Sequence, residues 1–250
     1  MALKMKSSTP IQVREVWAEN LVAEFSLIKE AISRFSFVSL DTEFPGTLFL
    51  SNLDKSLLSQ APPSHNYRLM KYNVDLLKII QLGMTLDFNI EHDPYNDESI
   101  GLLERQGIDL KKNREKGIDS SDFAWMVLTS GLVFNNCSIT WITFHGAYDF
   151  GFLIKILTRR ELPCDMASFL GMVSFFFGVR VYDTKFMMGS IGGLRGGLER
   201  VAKLLGVERT TGSRHQAGSD SWLGFDRTPE VYNIETSTRL KPQFKEVFSV

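Results

Sequence analysis

Two carboxylates separated by one residue, Asp41 and Glu43, lie at the end of FSFVSLDTEF (35–44), a stretch rich in aromatic and β-favouring residues. Pro45 and Gly46 follow directly, so the pattern predicts a buried strand that stops there. Side chains two apart in a strand share one face, at a spacing of roughly 7 Å. Burying both carboxylates is costly without a cation between them, and a divalent metal with oxygen ligands is the simplest one. A solvated strand end with two hydrophilic residues is the alternative.

A third carboxylate, Asp149, lies in FHGAYDFGFLIK, just after the predicted strand ITWITF (139–144) and in the first turn of a predicted helix. A carboxylate at such a position can be a cap or a partner of the helix dipole. It also lies at the carboxyl end of a strand, where open α/β sheets build their sites. Both interpretations remain open for this residue on its own.

The segment RHQAGSDSWL places His215 and Asp220 five positions apart near the start of a predicted helix. Histidine titrates near neutral pH, so beside metal-held carboxylates it can take a proton from an attacking water. A surface-loop histidine and an aspartate at a helix start is the alternative. The two residues therefore add a base and a fourth carboxylate to the candidate site.

The elements that must position these residues follow from periodicity and turn residues. The pattern predicts a surface loop over 50–66, a short helix within 91–118, and a hairpin partner at 88–90 for a strand over 76–86. The other predicted strands are 35–44, 139–144 and 179–182, and the other predicted helices are 19–34 with Asn20 as its cap, 123–134, 148–159, 166–177 and 198–205. This order indicates an α/β domain with a mixed central sheet flanked by helices.

Composition sets the wider limits. The chain has 250 residues, with 28 basic against 29 acidic side chains, so no global basic field indicates a duplex-coating protein. One domain is expected over 10–225, followed by a tail (226–250) without clear periodicity. Two cysteines, Cys137 and Cys164, are too few for a disulfide framework, which favours a reducing compartment. No apolar run approaches membrane-spanning length, so a soluble intracellular protein without membrane contact is expected.

The order of these motifs along the chain is informative. It runs from Asp-x-Glu on a strand, through an Asp after a later strand, to His-x4-Asp near the end. This order resembles that of the histidine-bearing branch of the DEDD exonuclease superfamily. The blocks DTEFPG, NVDLLKIIQLG, FHGAYDFGFLIKIL, GGLERVAKLLGV and RHQAGSDS occur in the right order over about residues 10–222. They resemble the Caf/Pop-type deadenylases, the poly(A)-trimming nuclease subunit of the Ccr/Not complex, and the plant members most closely.

The resemblance implies a ribonuclease H-like fold and a role for each of the five residues. Asp41 would bridge two divalent ions, Glu43 and Asp220 would complete one metal site, Asp149 would serve the other, and His215 would be the general base. The ions would be Mg²⁺ or Mn²⁺, with Co²⁺ as a further candidate. The implied reaction is stepwise release of 5′-AMP from the 3′ end of poly(A) RNA, in the cytoplasm and nucleus. The implied partners are the Ccr/Not scaffold and its companion deadenylase subunit.

The chain departs from that family in two places. The family carries a longer hairpin with a Trp-containing strand between the positions of Met84 and Phe88, so a tightened turn is expected here. After the last motif the family continues with a long helix, whereas this chain turns to WLGFDRTPEV, and Pro229 limits the extension of the helix that carries Asp220. A non-catalytic member that binds the complex is therefore the alternative. An unrelated carboxylate-lined metal-binding module ranks last, because it leaves the His-x4-Asp spacing unexplained.

Three further side chains have simpler explanations than metal ligation. His145 is interpreted as a structural histidine at a strand end, Asp183 as a helix cap, and Asp75 as an exposed or capping residue. Lys155 is a candidate phosphate contact.

Overall fold

The computed structural model describes residues 13–53, 61–134, 139–189, 193–194, 196–209, 212 and 214–225. The strands are β1 (Phe37–Ser39), β2 (Thr140–Thr143) and β3 (Val181–Asp183), and a 3-10 turn covers Ala18–Asn20. The helices are α1 (Leu21–Arg34), α2 (Pro63–Leu76), α3 (Asp97–Arg105), α4 (Leu110–Lys116), α5 (Ser120–Ser130), α6 (Ala147–Thr158), α7 (Met166–Phe177), α8 (Thr184–Gly189), α9 (Leu198–Leu204) and α10 (Ala217–Phe225). The predicted tail (226–250) and the first residues of the predicted domain lie outside the described residues.

The three described strands form one parallel sheet in the order β1-β2-β3. Every residue of β2 is buried, because this central strand is covered on both faces. Antiparallel pairing occurs in the described chain only at isolated bridges, between Glu43 and Gln81 and between Gln81 and Thr85. The α/β class with flanking helices is confirmed, and the carboxyl ends of all three strands lie at one edge of the sheet.

The first strand is shorter than predicted, since β1 ends at Ser39 rather than at residue 44. Leu40 still donates its N–H to Ile142 on β2 at 2.9 Å, but the backbone of Glu43 turns away and bonds to Gln81. Asp41 and Glu43 therefore lie beyond the regular strand, and strand alternation alone does not explain why they face the same site.

The predicted strand over 76–86 is wrong. The helix α2 continues to Leu76, and the residues after it run irregularly through the core, with Leu77 and Ile80 fully buried. Burial explains why the segment is nearly all apolar, and such a pattern does not distinguish a strand from any other buried conformation. Residues 81–85 form the tightened turn, in which Leu82 donates its N–H to Met84 at 2.8 Å.

The predicted hairpin partner at 88–90 is also wrong. The N–H of Phe88 bonds to the carbonyl of Leu86 at 3.0 Å, which is a local turn rather than a ladder. Phe88 itself is fully buried in a small cluster with residues of α3 and α4. The segment is therefore a core connection to the next helices.

The helices predicted over 19–34, 148–159, 166–177 and 198–205 are confirmed, with ends that shift by one or two residues. The helix predicted over 123–134 begins earlier, at Ser120, and ends at Ser130, where Gly131 adopts the left-handed conformation that glycine favours. Asn20 occupies the N-cap position of α1, as predicted, but its side chain does not cap the helix, because its Oδ1 accepts the N–H of Trp17 instead of a helical amide.

Two other helix predictions need correction. The helix α2 begins at Pro63, inside the predicted loop 50–66, because Tyr67, Met70 and Val74 supply a buried face at helical spacing. Proline suits the first helical position, where its missing N–H costs no helical hydrogen bond. The region 91–118 contains two helices instead of one, with Asn96 and Asp109 as their side-chain caps.

The helices that hold α6 in place determine the orientation of the candidate site. α6 packs against α2, α5 and α7, while α10 packs against β1 and β2. Rings on α6, α7 and β2 meet edge to face, with Phe150 and Phe177 at a centroid distance of 4.9 Å and Trp141 and Phe177 at 5.2 Å. This packing fixes the first turn of α6 directly beyond the end of β2.

Candidate metal centre

The chain after β1 brings two carboxylates into the interior. The backbone of Glu43 is held on both sides, because its N–H donates to Gln81 at 2.9 Å and its carbonyl accepts the N–H of Ile80 at 2.8 Å. Its side chain is only 8% exposed. The segment 77–81, which was predicted to be part of a strand, is thus the element that orients Glu43.

Asp149 lies in the first turn of α6 and is buried. Thr42 Oγ1 donates a hydrogen bond to Asp149 Oδ1 at 2.5 Å, and both residues are buried. Strand alternation would turn Thr42 away from its neighbours Asp41 and Glu43. Since β1 has already ended, the chain lets all three residues approach the first turn of α6.

The last two predicted residues lie at the start of α10. Ser39 Oγ on β1 donates to the carbonyl of Ser221 at 2.7 Å, which ties the helix to the sheet beside Asp220. Asp220 Oδ2 accepts the backbone N–H of His215 at 3.0 Å. His215 itself has a φ of 54°, so its turn is in the left-handed region that non-glycine residues seldom adopt.

The structure brings Glu43, His215 and Asp220 together, and Asp41 and Asp149 lie near enough for their charges to interact with this group. Glu43, His215 and Asp220 each offer one ligand atom, and these atoms lie within 4.8 Å of one another. Negative charge on Asp149, Glu43 and Asp220 acts on Asp41, so all four carboxylates occupy one cluster. The assignment of all five residues to one metal site stays a prediction, which this arrangement supports.

Burial and mutual repulsion raise the pKa values of this cluster. The pKa of Asp41 lies well above its usual range because the carboxyl is desolvated and faces Asp149, Glu43 and Asp220. Desolvation, with the charges of Asp220 and Asp149, raises the pKa of Glu43 to about 8. Burial raises the pKa of Asp149 to about 7, although the hydrogen bond from Thr42 opposes the rise. Ionising this cluster is therefore costly until positive charge is supplied.

The donor set fits divalent metal ions. Four carboxylates supply hard oxygen ligands, which Mg²⁺ and Mn²⁺ prefer, and a histidine nitrogen lies beside them. A divalent cation would also offset the repulsion that raises the pKa values of Asp41 and Glu43. These residues can hold a metal and present it to a phosphate.

Arg209 belongs to the cluster and was missed by the sequence reading. Its guanidinium forms ion pairs with Asp220 Oδ1 and with Glu199 on α9, and its charge partly offsets the rise in the pKa values of Asp41 and Glu43 that desolvation and the neighbouring carboxylates cause. Neither periodicity nor motif spacing in the sequence indicates a role for Arg209. Its contact with Asp220 depends on the folded position of the loop that carries it. Asp220 is thus held at both oxygens, even though the family's longer helix is not matched in sequence.

The structure also shows the contacts of the residues that were not assigned to the metal site. The Asp183 cap is confirmed, because its Oδ1 accepts the N–H of Phe186 at 3.0 Å. His145 Nδ1 lies 3.3 Å from Lys185 Nζ and is not part of the metal-ligand group among the described residues.

The other two predictions are wrong. Asp75 is neither exposed nor a cap: it pairs with Lys71 and accepts the N–H of Leu162 at 2.8 Å. Lys155 does not project toward a phosphate. Its Nζ donates to three carbonyls at the end of α2, those of Val74, Asp75 and Leu77, at 2.8 to 2.9 Å.

No helix among the described ranges combines the length and the apolar character needed to cross a bilayer.

Sequence comparisons give a consistent set of relatives. The CAF1 family ribonuclease profile matches residues 16–135. Probable CCR4-associated factor 1 homolog 10 of Arabidopsis thaliana is 45% identical over 246 residues, which cover 89% of this chain and 86% of that protein. Poly(A) ribonuclease pop2 of Schizosaccharomyces pombe is 38% identical over 236 residues, which cover 87% of this chain and 68% of that protein.

Solved structures agree with the sequence relatives. The Mg²⁺- and Mn²⁺-bound form of S. pombe Pop2p superposes with a TM-score of 0.77 at 34% identity, covering 93% of this chain and 95% of that one. Yeast CAF1, co-crystallised with the NOT1 MIF4G domain, superposes with a TM-score of 0.68 at 27% identity, covering 91% and 92%. These similarities confirm the ribonuclease H-like fold class that the resemblance implied.

Proposed function

The chain belongs to the CAF1 ribonuclease family, and we propose that it is a metal-dependent 3′-to-5′ exoribonuclease that shortens the poly(A) tails of messenger RNA and releases 5′-AMP. The observation that supports the proposal is the grouping of Glu43, His215 and Asp220, whose ligand atoms lie within 4.8 Å of one another, with Asp41 and Asp149 near enough for their charges to interact. Such a site suits phosphodiester hydrolysis, which needs charge stabilisation and a positioned water more than it needs a protein nucleophile.

Each side chain has a proposed role. Asp41 would contribute to two metal sites, Glu43 and Asp220 would complete one of them, and Asp149 would serve the other. When bound, two divalent ions would clamp the scissile phosphate and offset the negative charge that develops on it. The protein's own part is to hold these ligands in place through Thr42 and the backbone contacts of Glu43.

His215 is the proposed general base. Its ring offers a nitrogen within 4.8 Å of ligand oxygens on Glu43 and Asp220. At that position it can accept the proton of the attacking water. Its backbone N–H also holds Asp220 Oδ2, so the turn at His215 positions a base and a ligand together.

The substrate and partners are proposed from the relatives. S. pombe pop2 is named a poly(A) ribonuclease, and yeast CAF1 was crystallised with the NOT1 MIF4G domain. We extend both properties to this chain: adenosine-tailed RNA as substrate, and the Ccr4–Not scaffold with its companion deadenylase as partners. Action in the cytoplasm and nucleus is part of the same proposal.

The test is incubation of the purified protein with 5′-labelled RNA ending in adenosines, with Mg²⁺, Mn²⁺ or Co²⁺ and with a chelator. Shortening one nucleotide at a time is expected with metal, and its loss is expected in Asp41→Ala. Glu30→Gln is the control, because Glu30 lies on the exposed surface of α1 and, within the described part of the chain, forms its one ion pair with Arg34. Intact RNA with every ion, or equal shortening by Asp41→Ala, would contradict the proposal.

A second candidate is a family member that binds the complex without turnover. The observation that favours it is Arg209, which already neutralises Asp220 inside the site. In that case the protein would bind the NOT1-type scaffold but would show no saturable Mn²⁺ binding. Metal titration by calorimetry separates the two candidates without any assay of activity.

A further inference from the structure

A groove follows the outer edge of the sheet. Among the described strands β1 is the edge strand, and two cavities of about 590 and 430 Å³ border it. Four residues line both cavities: Phe37 and Ser39 on β1, and Gly83 and Met84 in the turn after the buried segment. Because the cavities share these residues, they adjoin one another along β1. Together they form what we call the edge groove.

The smaller cavity of the edge groove is lined almost wholly by apolar side chains. Ile28 and Ile32 on α1 and Leu82 in the turn contribute to its wall. At its rim Phe35 and Phe37 are 67% and 53% exposed. Large apolar side chains exposed beside an edge strand favour the addition of another stretch of chain.

The backbone of β1 also points into the groove. On the side of β2, the carbonyl of Ser36 accepts the N–H of Thr140 at 2.7 Å, and Leu40 donates its N–H to Ile142 at 2.9 Å. Backbone groups of alternate residues in a strand point to opposite sides, so the N–H and carbonyl of Ser39 point away from β2. An extended segment in the groove can therefore pair with β1.

The turn over residues 81–85 leaves the groove open. Gln81 and Thr85 pair with each other, so this tight turn does not run along β1. A Cβ added to Gly83 would meet no atom of the described chain within 4 Å. There is thus room for a strand between the turn and β1.

The end of α10 lies close to the same groove. Ser219 and Ser221 of α10 line the larger cavity, and Ser39 Oγ donates to the carbonyl of Ser221 at 2.7 Å. The helix ends at Phe225, only about 6 Å further along its axis. Residues 226–250 therefore start beside the edge groove.

One short segment of that tail has the sequence pattern of a strand. The tail as a whole lacks clear periodicity, but residues 231–236 (VYNIET) are rich in β-favouring types, and Tyr232 and Ile234 alternate with polar residues. The residues between Phe225 and this segment can span up to about 20 Å. A segment tethered this closely has an effective concentration on the order of millimolar, which favours it over a separate chain.

We propose that residues 231–236 occupy the edge groove as a strand added to β1. Tyr232 and Ile234 pack into the apolar cavity, and Asn233 points away from it. The added strand covers the exposed rings at the rim and holds the helix that carries Asp220 against the sheet. This inference goes beyond the proposed function and does not depend on hydrolysis of RNA.

The test is hydrogen exchange of the full chain and of three single variants, measured by mass spectrometry. Tyr232→Asp and Ile234→Asp should each speed exchange in peptides covering 37–40 by about tenfold, since a backbone hydrogen bond to the added strand is lost. Asn233→Asp is the matched control, because it adds the same charge on the opposite face, and it should leave exchange unchanged. Exchange over 63–76, which does not line the groove, should be equal in all four proteins.

A labelled peptide with the sequence of residues 229–238 gives a second readout by fluorescence anisotropy. It should bind the double variant Tyr232→Asp/Ile234→Asp at least about tenfold more tightly than the unchanged protein, whose own tail competes for the groove. Equal binding to the two proteins would overturn the proposal, and so would equal exchange over 37–40 in all four proteins.

Two further outcomes are decisive. Protection over 37–40 that rises with protein concentration and persists in the aspartate variants would assign the groove to a second copy of the chain and overturn the proposal. Thermal unfolding shows whether each variant is folded. Tyr232→Ser and Ile234→Ser remove the same apolar contacts without adding charge, and they should speed exchange over 37–40 as the aspartate variants do.

Discussion

Replacing Thr42 with valine removes a single hydroxyl from the buried edge of the metal centre. Thr42 Oγ1 donates to Asp149 Oδ1 at 2.5 Å, and both residues are buried. Valine has nearly the same shape, so the main change is the lost donor. Asp149 then keeps its place on α6 but loses the contact that orients its carboxylate.

The magnitude follows from that contact. A hydrogen bond to a charged group contributes about 1.5–3 kcal/mol. Losing a partner that orients a metal ligand typically costs about ten- to a hundredfold in metal affinity or activity. We expect Thr42→Val to weaken Mn²⁺ binding by at least about tenfold, in line with the lower end of that range. Thr42→Ser keeps the hydroxyl and should remain close to the unchanged protein.

The pH dependence provides a second readout for the same variant. Burial already raises the pKa of Asp149 to about 7, and the Thr42 hydrogen bond opposes that rise. Without the hydroxyl the pKa rises further, so a higher pH is needed to ionise the ligand. The acidic limb of the pH–rate profile should therefore move to higher pH in Thr42→Val and stay in place in Thr42→Ser.

The assay is calorimetric Mn²⁺ titration of the three proteins, with thermal unfolding in chelator to verify their folds. If Thr42→Val binds Mn²⁺ as tightly as Thr42→Ser and shows the same acidic limb, the hydroxyl does not position Asp149 and the reasoning fails. A loss of stability without a change in metal affinity would assign Thr42 to packing alone.

Two further predictions concern stability. Because burial and like charge raise the folded-state pKa values of Glu43 to about 8 and Asp149 to about 7, the folded protein holds protons that the unfolded chain has lost. The metal-free protein should therefore lose stability as pH rises from about 4 to about 8, and Mg²⁺ should restore it. A melting temperature in chelator that stays flat or rises across this window would contradict that sign. Lys155→Met should lower the free energy of unfolding by about 2 kcal/mol in urea titrations, because three carbonyls lose their donor. Lys29→Met, on the exposed surface of α1, should leave the free energy of unfolding almost unchanged. Equal losses of stability in the two variants would show that the Lys155 ammonium does not stabilise the end of α2.

Much of the helical framework could be predicted from the sequence. The predicted helix 166–177 coincides with α7, and the predicted strand 139–144 contains β2, because strongly patterned segments report their own burial. The strand predicted over 76–86 is wrong because this segment is apolar on every side. It therefore has no periodicity that distinguishes a strand from another buried conformation. Its buried residues, including Leu77 and Ile80, serve the core and the backbone of Glu43.

Strand alternation predicts that the side chains of Asp41 and Glu43 share one face, but it does not explain how they reach the cluster. The structure places Asp41 and Glu43 beyond the end of the strand. Thr42, which lies between them, is also directed at Asp149. A local rule could not anticipate this, because the course of the chain after Ser39 depends on its pairing with Gln81.

The sequence by itself determined the chemistry that is available: Asp41, Glu43, Asp149, His215 and Asp220, in an order and an α/β setting that point to metal-assisted attack on a phosphate. Residue type and chain order are local properties, so they can be read without coordinates. Only the tertiary structure decided the partners of these groups: the Thr42 hydroxyl on Asp149 and the Arg209 guanidinium on Asp220. Such contacts join segments far apart in the chain, and their geometry depends on the packing of the whole sheet and its helices.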